Sequence, residues 1–214
     1  FPYLKIKTLK PIYPQGGEKV ITYNITGKVV PENKFPKDIG VLVINCTTLA
    51  SIAKYIKTGM PLVERTITVT GSAIEKPFNL TVPIGTPIKD IMTFCNMISK
   101  PHKILYGGPM MGIALPDTDS PVLKNTNALI FLDERDSKGE KTTPCIRCGK
   151  CISVCPVNLN PVQISKAYKS REFSQIKASM VNVCMECGCC SYICPTRQPL
   201  VQHNKLSKAI LKEG

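Results

Sequence analysis

CIRCGKCISVCP, residues 145–156, and CMECGCCSYICP, residues 184–195, are two copies of one pattern, C-x2-C-x2-C-x3-C-P, set 39 residues apart. Three cysteines separated by two residues, in a tight backbone wrap, can each reach one iron of a single cubane. Gly149 and Gly188 let the backbone turn closely against inorganic sulfide. Amide N–H groups in such a wrap can point at the sulfides and stabilise a negative cluster. The fourth cysteine lies beyond the wrap, and the proline after it turns the chain away. In two-cluster bacterial ferredoxins that fourth cysteine ligates the other cluster. The pattern therefore predicts two 4Fe–4S clusters, one held by Cys145, Cys148, Cys151 and Cys194, the other by Cys184, Cys187, Cys190 and Cys155. A pair of zinc sites would need only four ligands each, commonly as two C-x2-C knuckles, and neither a third cysteine at that spacing nor the terminal C-P.

The other cysteines read differently. Cys189 stands where the first copy has Lys150. Using it in place of Cys190 would break the shared spacing, so it reads as a non-ligand beside a cluster. Cys46 and Cys95 sit on apolar strand and helix positions and read as packed core thiols. His102 and His203 lack ligand-like neighbours and read as surface or packing residues. An odd count of eleven cysteines, nine of them between Cys145 and Cys194, argues for metal in a reducing compartment and against a disulfide scaffold.

Outward from the motif, Pro161 to Val183 carries a helix pattern through Ile164, Ala167, Tyr168 and Ile176, and Leu200 to Lys212 carries another. The cluster module, residues 144–214, is expected to be helical. Before it, residues 134–143 have linker composition. Residues 71–133 show a strand at Phe78–Val82, a helix opening at Thr86-Pro87 and running through Ile88, Ile91, Met92 and Cys95, and short strands at Lys103–Tyr106 and Leu129–Leu132. Strands around one helix suggest a β-grasp module. Pro109 removes an N–H donor from the glycine-rich stretch Gly107–Gly112, which reads as a structural turn. Residues 1–70 alternate strand and helix signals: a strand at Lys19–Ile25, a buried parallel strand at Ile39–Asn45, a helix at Thr47–Lys57 stopped by Gly59, and a strand at Arg65–Thr70. The fold class is multi-domain α+β: a truncated α/β segment, a β-grasp module and a helical two-cluster domain. The sequence opens at Phe1 without an initiator Met, and its first residues read as the middle of a domain, so the chain is expected to be a portion of something longer.

A formal charge of +13 falls to roughly +9 once each oxidised cluster with its thiolates contributes about −2. The remaining excess favours acidic partners. No nucleic-acid motif accompanies it, which sets nucleic acid aside as a partner. The longest apolar run, around Val41–Ile44, is far short of the roughly 20 residues of a membrane span.

YPQGGEKVITYNITGKVVP (residues 13–31), GMPLVERTITVTGSA (59–73), YGGPMMG (106–112) and the tandem cysteine motif together resemble the C subunit of the Rnf complex, in order and over essentially the whole chain. That family's complex is a membrane-bound, ion-translocating ferredoxin:NAD oxidoreductase. The resemblance implies an oxidoreductase subunit, cytoplasmic and peripheral on the inner face of the cell membrane. It further implies a flavin and nucleotide domain, of which residues 1–70 would be a remnant, an SLBB-like β-grasp domain and the two-cluster domain. FMN and NAD(H) are expected in the upstream domain, whose glycine-rich motifs do not occur in this chain. Gly16, Gly17 and Glu18 are either the edge of that site or a plain turn. The role implied is a relay of single electrons between the NADH/FMN site and the other subunits. A corrinoid reductase of propanediol-utilisation microcompartments has similar domains and is the alternative. A scaffold whose clusters only hold the helices together is the non-catalytic one.

Overall fold

The computed structural model describes residues 2–213. The chain divides into two compact units, one built from the described residues up to Val43 together with those from Lys141, the other from Ile44–Glu140.

In the front segment, α1 spans Glu18–Thr26 between Gly17 and Gly27, the latter at φ 73°. Here the expected strand at Lys19–Ile25 is wrong. Its β-branched alternation is overridden by a glycine at each end, of which Gly27 in the left-handed conformation is a strong helix stop, and by Glu18 in the first turn, which complements the helix dipole. The expected parallel strand at Ile39–Asn45 is also absent. A 3-10 turn at Pro36–Ile39 ends on Gly40, and Leu42 and Ile44 are exposed. An apolar run becomes a strand only where a sheet offers it a partner, and none pairs with it.

The second unit begins with α2, Cys46–Thr58, capped by the Asn45 side chain on Thr47 N–H and stopped by Gly59. The helix lies where the sequence predicts it, but none of its residues is buried, and Cys46 is exposed rather than a core thiol. A five-stranded sheet follows, built from β1 (Glu64–Thr70), β2 (Phe78–Pro83), β3 (Lys103–Tyr106), β4 (Ile113–Ala114) and β5 (Ala128–Leu132), in the order β2-β1-β5-β3-β4. The β1/β5 pair is parallel and the others are antiparallel. Along β1, Ile67 and Val69 point inward while Thr66 and Thr68 pair on the outer face with Thr81 and Asn79 of β2. A single helix, α3 (Ile88–Phe94), buries Ile88 and Ile91 against Val69, Leu129 and Phe131. Pro87, not Thr86, is its cap residue, because the Thr86 hydroxyl is spent on Pro83 C=O at 2.8 Å. Gly71 ends β1 at φ 126°, and a Cβ there would lie 2.1 Å from the Phe131 carbonyl oxygen, so only glycine fits. Gly107–Gly112 is a turn, closed by Gly112 N–H on Gly108 C=O at 2.7 Å. Because β1 is an interior strand of this sheet, paired with both β2 and β5, the compact unit that contains it begins at Ile44 rather than at the expected boundary near residue 70. Part of the expected linker is ordered too, as α4 (Glu134–Ser137), capped by Asp133.

In the rest of the first unit, α5 (Lys150–Ser153), α6 (Pro161–Lys169), α7 (Phe173–Ala178), α8 (Cys189–Tyr192) and α9 (Leu200–Glu213) are helical. The long helix expected over Pro161–Val183 is broken at Arg171 and Met180, both at positive φ. Those bends bring Ile164, Ala167, Ile176 and Val181 into one core with Leu159.

Candidate metal centre

The sequence repeat is a backbone repeat. Arg147 (φ 57°), Gly149 (74°) and Asn158 (55°) recur 39 residues later as Glu186 (60°), Gly188 (82°) and Arg197 (53°). The helices recur as well: α5 with α8, and the start of α6 with the start of α9. Each wrap aims an amide at its first thiol, Arg147 N–H to Cys145 Sγ at 3.5 Å and Glu186 N–H to Cys184 Sγ at 3.4 Å. The fourth cysteines are treated alike. Cys155 accepts from the amides of Val157 and Leu159, and Cys194 from those of Gln198, Thr196 and Arg197.

Three of the thiols have close thiol neighbours in the opposite copy of the motif. Cys151 feels Cys194, Cys145 and Cys148. Cys155 feels Cys184 and Cys187, and Cys190 feels all three. Cys145, Cys148, Cys151 and Cys194 line one nearly apolar cavity of about 250 Å³ together with Ile146, Ile152, Val162 and Leu200. None of the eleven cysteines is in a disulfide. A zinc site would hold every sulfur at roughly 2.3 Å from a single centre. Four thiols spread around a cavity suit a polynuclear cluster, so the donor set fits 4Fe–4S.

Burial pushes the Cys187 thiol up to about 11 and the Cys190 thiol to about 12, so iron must displace protons to bind there. At Cys194 burial acts in the same direction, but hydrogen bonds from the Thr196 hydroxyl and from backbone amides outweigh it, and the thiol titrates below its ordinary range. Cys189, half-buried at the head of α8, hydrogen-bonds to Cys187. Cys95 is a buried core thiol. His203 is a packing residue, its Nδ1 2.7 Å from Ser165 Oγ and its ring stacked on Tyr168.

Four side chains that the sequence did not single out surround the second copy. Tyr13 OH donates to Cys187 C=O at 2.6 Å, and Lys19 Nζ reaches Val183 C=O at 3.5 Å. Lys208 Nζ donates to Cys184 C=O at 2.5 Å and pairs with Glu186 at 2.8 Å. Asn204, 1% exposed, donates from Nδ2 to Cys184 Sγ at 3.4 Å. Extending the 39-residue repeat past the cysteines would have flagged two of these, because it sets Asn204 against Ser165 and Lys208 against Lys169.

Fold and site are those of an iron–sulfur protein. The family model of the 4Fe-4S dicluster domain matches residues 138–195, and that of the Nuo51 FMN-binding domain matches residues 3–54. The chain is 41% identical over 164 residues to the C subunit of the Na(+)-translocating ferredoxin:NAD(+) oxidoreductase complex of Acetobacterium woodii, covering 76% of this chain and 37% of that one. It is 42% identical over 214 residues to the C subunit of the ion-translocating oxidoreductase complex of Pseudomonas aeruginosa, covering 99% and 28%, and 38% identical over 210 residues to that of Salmonella arizonae, covering 96% and 31%. By sequence the chain belongs to the family of the Rnf complex's C subunit, and it spans about a third of the length of the curated relatives it matches. No helix among the described residues is long and apolar enough to cross a membrane.

Proposed function

We propose that this chain is the electron-relay portion of an Rnf-type ferredoxin:NAD oxidoreductase. In this reading it exchanges single electrons between an NADH/FMN site and partner subunits of a membrane-bound complex, from a peripheral position on the cytoplasmic face. Cys145, Cys148, Cys151 and Cys194 hold one 4Fe–4S cluster, and Cys184, Cys187, Cys190 and Cys155 hold the other. The observation that carries this reading is the single cavity lined by Cys145, Cys148 and Cys151 of the first copy together with Cys194 of the second. A 4Fe–4S cluster supplies one-electron transfer with no bond made or broken, which beside a flavin converts a two-electron hydride equivalent into single electrons.

The residues' own work is to bind and to insulate. Eight thiolates supply the ligands. Amides of Arg147, Val157, Leu159 and Glu186 donate to sulfur and offset its charge. Ile146, Ile152, Val162 and Leu200 give the first site an apolar lining. No acid, base or nucleophile is required. The match over residues 3–54 supports descent of the front segment from the flavin domain. For residues 44–140, a parallel β1/β5 pair flanked by antiparallel β2 and β3 with one helix, α3, supports the SLBB-like β-grasp reading.

Anaerobic visible absorbance of the iron-reconstituted chain tests the proposal. Bleaching by dithionite but not by NADH is expected, because NAD(H) and FMN chemistry is assigned to the upstream domain. Bleaching by NADH would relocate the flavin site into this chain. Absorbance unmoved by either reductant would end the relay reading.

A further inference from the structure

We propose that Asn204, Lys208 and Lys19 raise the reduction potential of the cluster held by Cys155, Cys184, Cys187 and Cys190, an inference that rests on the two-cluster reading above. Reduction of a 4Fe–4S centre adds one electron and one negative charge to the site. Burial disfavours that extra charge, whereas N–H donors to sulfur and nearby cations favour it. The second site is the more buried of the two: Cys187 and Cys190 are 7% and 8% exposed and none of its four cysteines is open, whereas the first has Cys194 at 8% but Cys145 and Cys148 exposed to water. Left to burial alone, the second cluster would be the harder to reduce.

Its surroundings oppose that. Asn204 is almost fully buried, so its bond to Cys184 Sγ is unscreened, and its own Oδ1 has no partner. What it gains is a hydrogen bond to a ligand sulfur. At the equivalent place in the first copy Ser165 points its hydroxyl at His203 instead. Lys208, 18% exposed, lies across the Cys184 carbonyl and neutralises Glu186, which sits between two ligands of the same site. Lys19 adds a second cation from α1 at the carbonyl just before Cys184. Together these groups do for the enclosed cluster what water does for the exposed one. They bring the two potentials within range of each other, as single-electron exchange requires.

An anaerobic redox titration of the reconstituted chain, followed by electron paramagnetic resonance, tests this. With full iron content retained, Asn204→Leu is expected to shift one of the two centres to lower potential and leave the other in place. Lys208→Met is expected to shift the same centre further, because it removes a cation and also uncovers Glu186. Asn204→Gln, which keeps the amide, should recover most of the change, and Ser165→Ala should move neither centre. If Asn204→Leu loses iron, Lys19→Gln, at a half-buried site on α1, gives the same reading with a smaller shift. Iron-replete variants whose centres both stay at wild-type potential, or both move equally, overturn the proposal. A wild-type chain showing no cluster signal would instead overturn the two-cluster reading, so the two failures are distinguishable.

Discussion

The two copies of the cysteine motif share their spacing and their backbone angles, yet they live in different surroundings. Every residue from Lys141 to Lys150 is exposed, whereas the loop from Cys184 to Cys190 is covered throughout. The difference does not come from the motif. The front segment supplies part of it: Tyr13 and Lys19 bond to the second loop and its approach, and Gly17 lies so close to Met185 that a Cβ would meet its methyl at 1.8 Å. Thus a duplicated metal-binding wrap becomes two unequal sites through residues outside the duplication, one open to solvent and one covered.

Ligand removal should break the comparison most severely. Cys155→Ser is expected to damage the same centre as Cys184→Ser, and Cys194→Ser the same centre as Cys145→Ser, each losing about half of the iron. Iron and sulfide analysis with electron paramagnetic resonance checks the pairing. If Cys155→Ser instead matches Cys145→Ser, the crossed assignment is wrong.

Core packing comes next. Ile164→Ala, in the fully buried core of the helical unit, should cost about 2–5 kcal/mol. Ile152→Ala, on the exposed copy, should stay within about 0.5 kcal/mol. Thermal or denaturant unfolding separates the two.

Thiol labelling of the iron-free chain near pH 8 sharpens the contrast directly. Cys145 and Cys148 should react at least about tenfold faster than Cys190, which is buried and held at about 12. The gap should narrow as pH rises and more Cys190 thiolate forms. Equal rates, read by mass spectrometry, would mean that the second copy is no better covered than the first.

A smaller effect belongs to His203, whose pKa is lowered by burial and by Lys169. The folded state binds its proton less readily than the unfolded state does. Its contribution is therefore present above about pH 6.5 and is lost as pH falls below that value. Unfolding midpoints followed from pH 7 to about pH 5 should fall more gently in His203→Gln, and unchanged slopes would remove His203 from the account.

The cysteine motif was legible because its geometry is local: ligand spacing, positive-φ glycines and the terminal proline all lie within twelve residues. Strands β1, β2, β3 and β5 were legible by their alternation or their apolar runs. What failed were segments whose state depends on distant partners. Lys19–Ile25 had β-branched residues but glycine stops at both ends. Ile39–Asn45 had the composition of a buried strand, yet it pairs with no strand among the described residues. Tyr13 meets Cys187 across 174 residues of sequence, a contact that no local pattern encodes. Asn204 and Lys208 lay within reach, at positions the repeat itself marks, but only if the repeat is followed beyond its cysteines.

One unit takes its residues from both ends of the chain while Ile44–Glu140 forms a unit of its own. During synthesis that arrangement sets an order of events. The sheet has all its strands once Leu132 has left the ribosome, and it can close while the front segment still waits. The loop that receives Tyr13 and Lys19 arrives about fifty residues later, and Asn204 later still. Assembly of the iron centres therefore follows closure of the sheet, and a ribosome-arrested chain ending before Cys184 should protect the sheet from protease while leaving α1 open to cleavage.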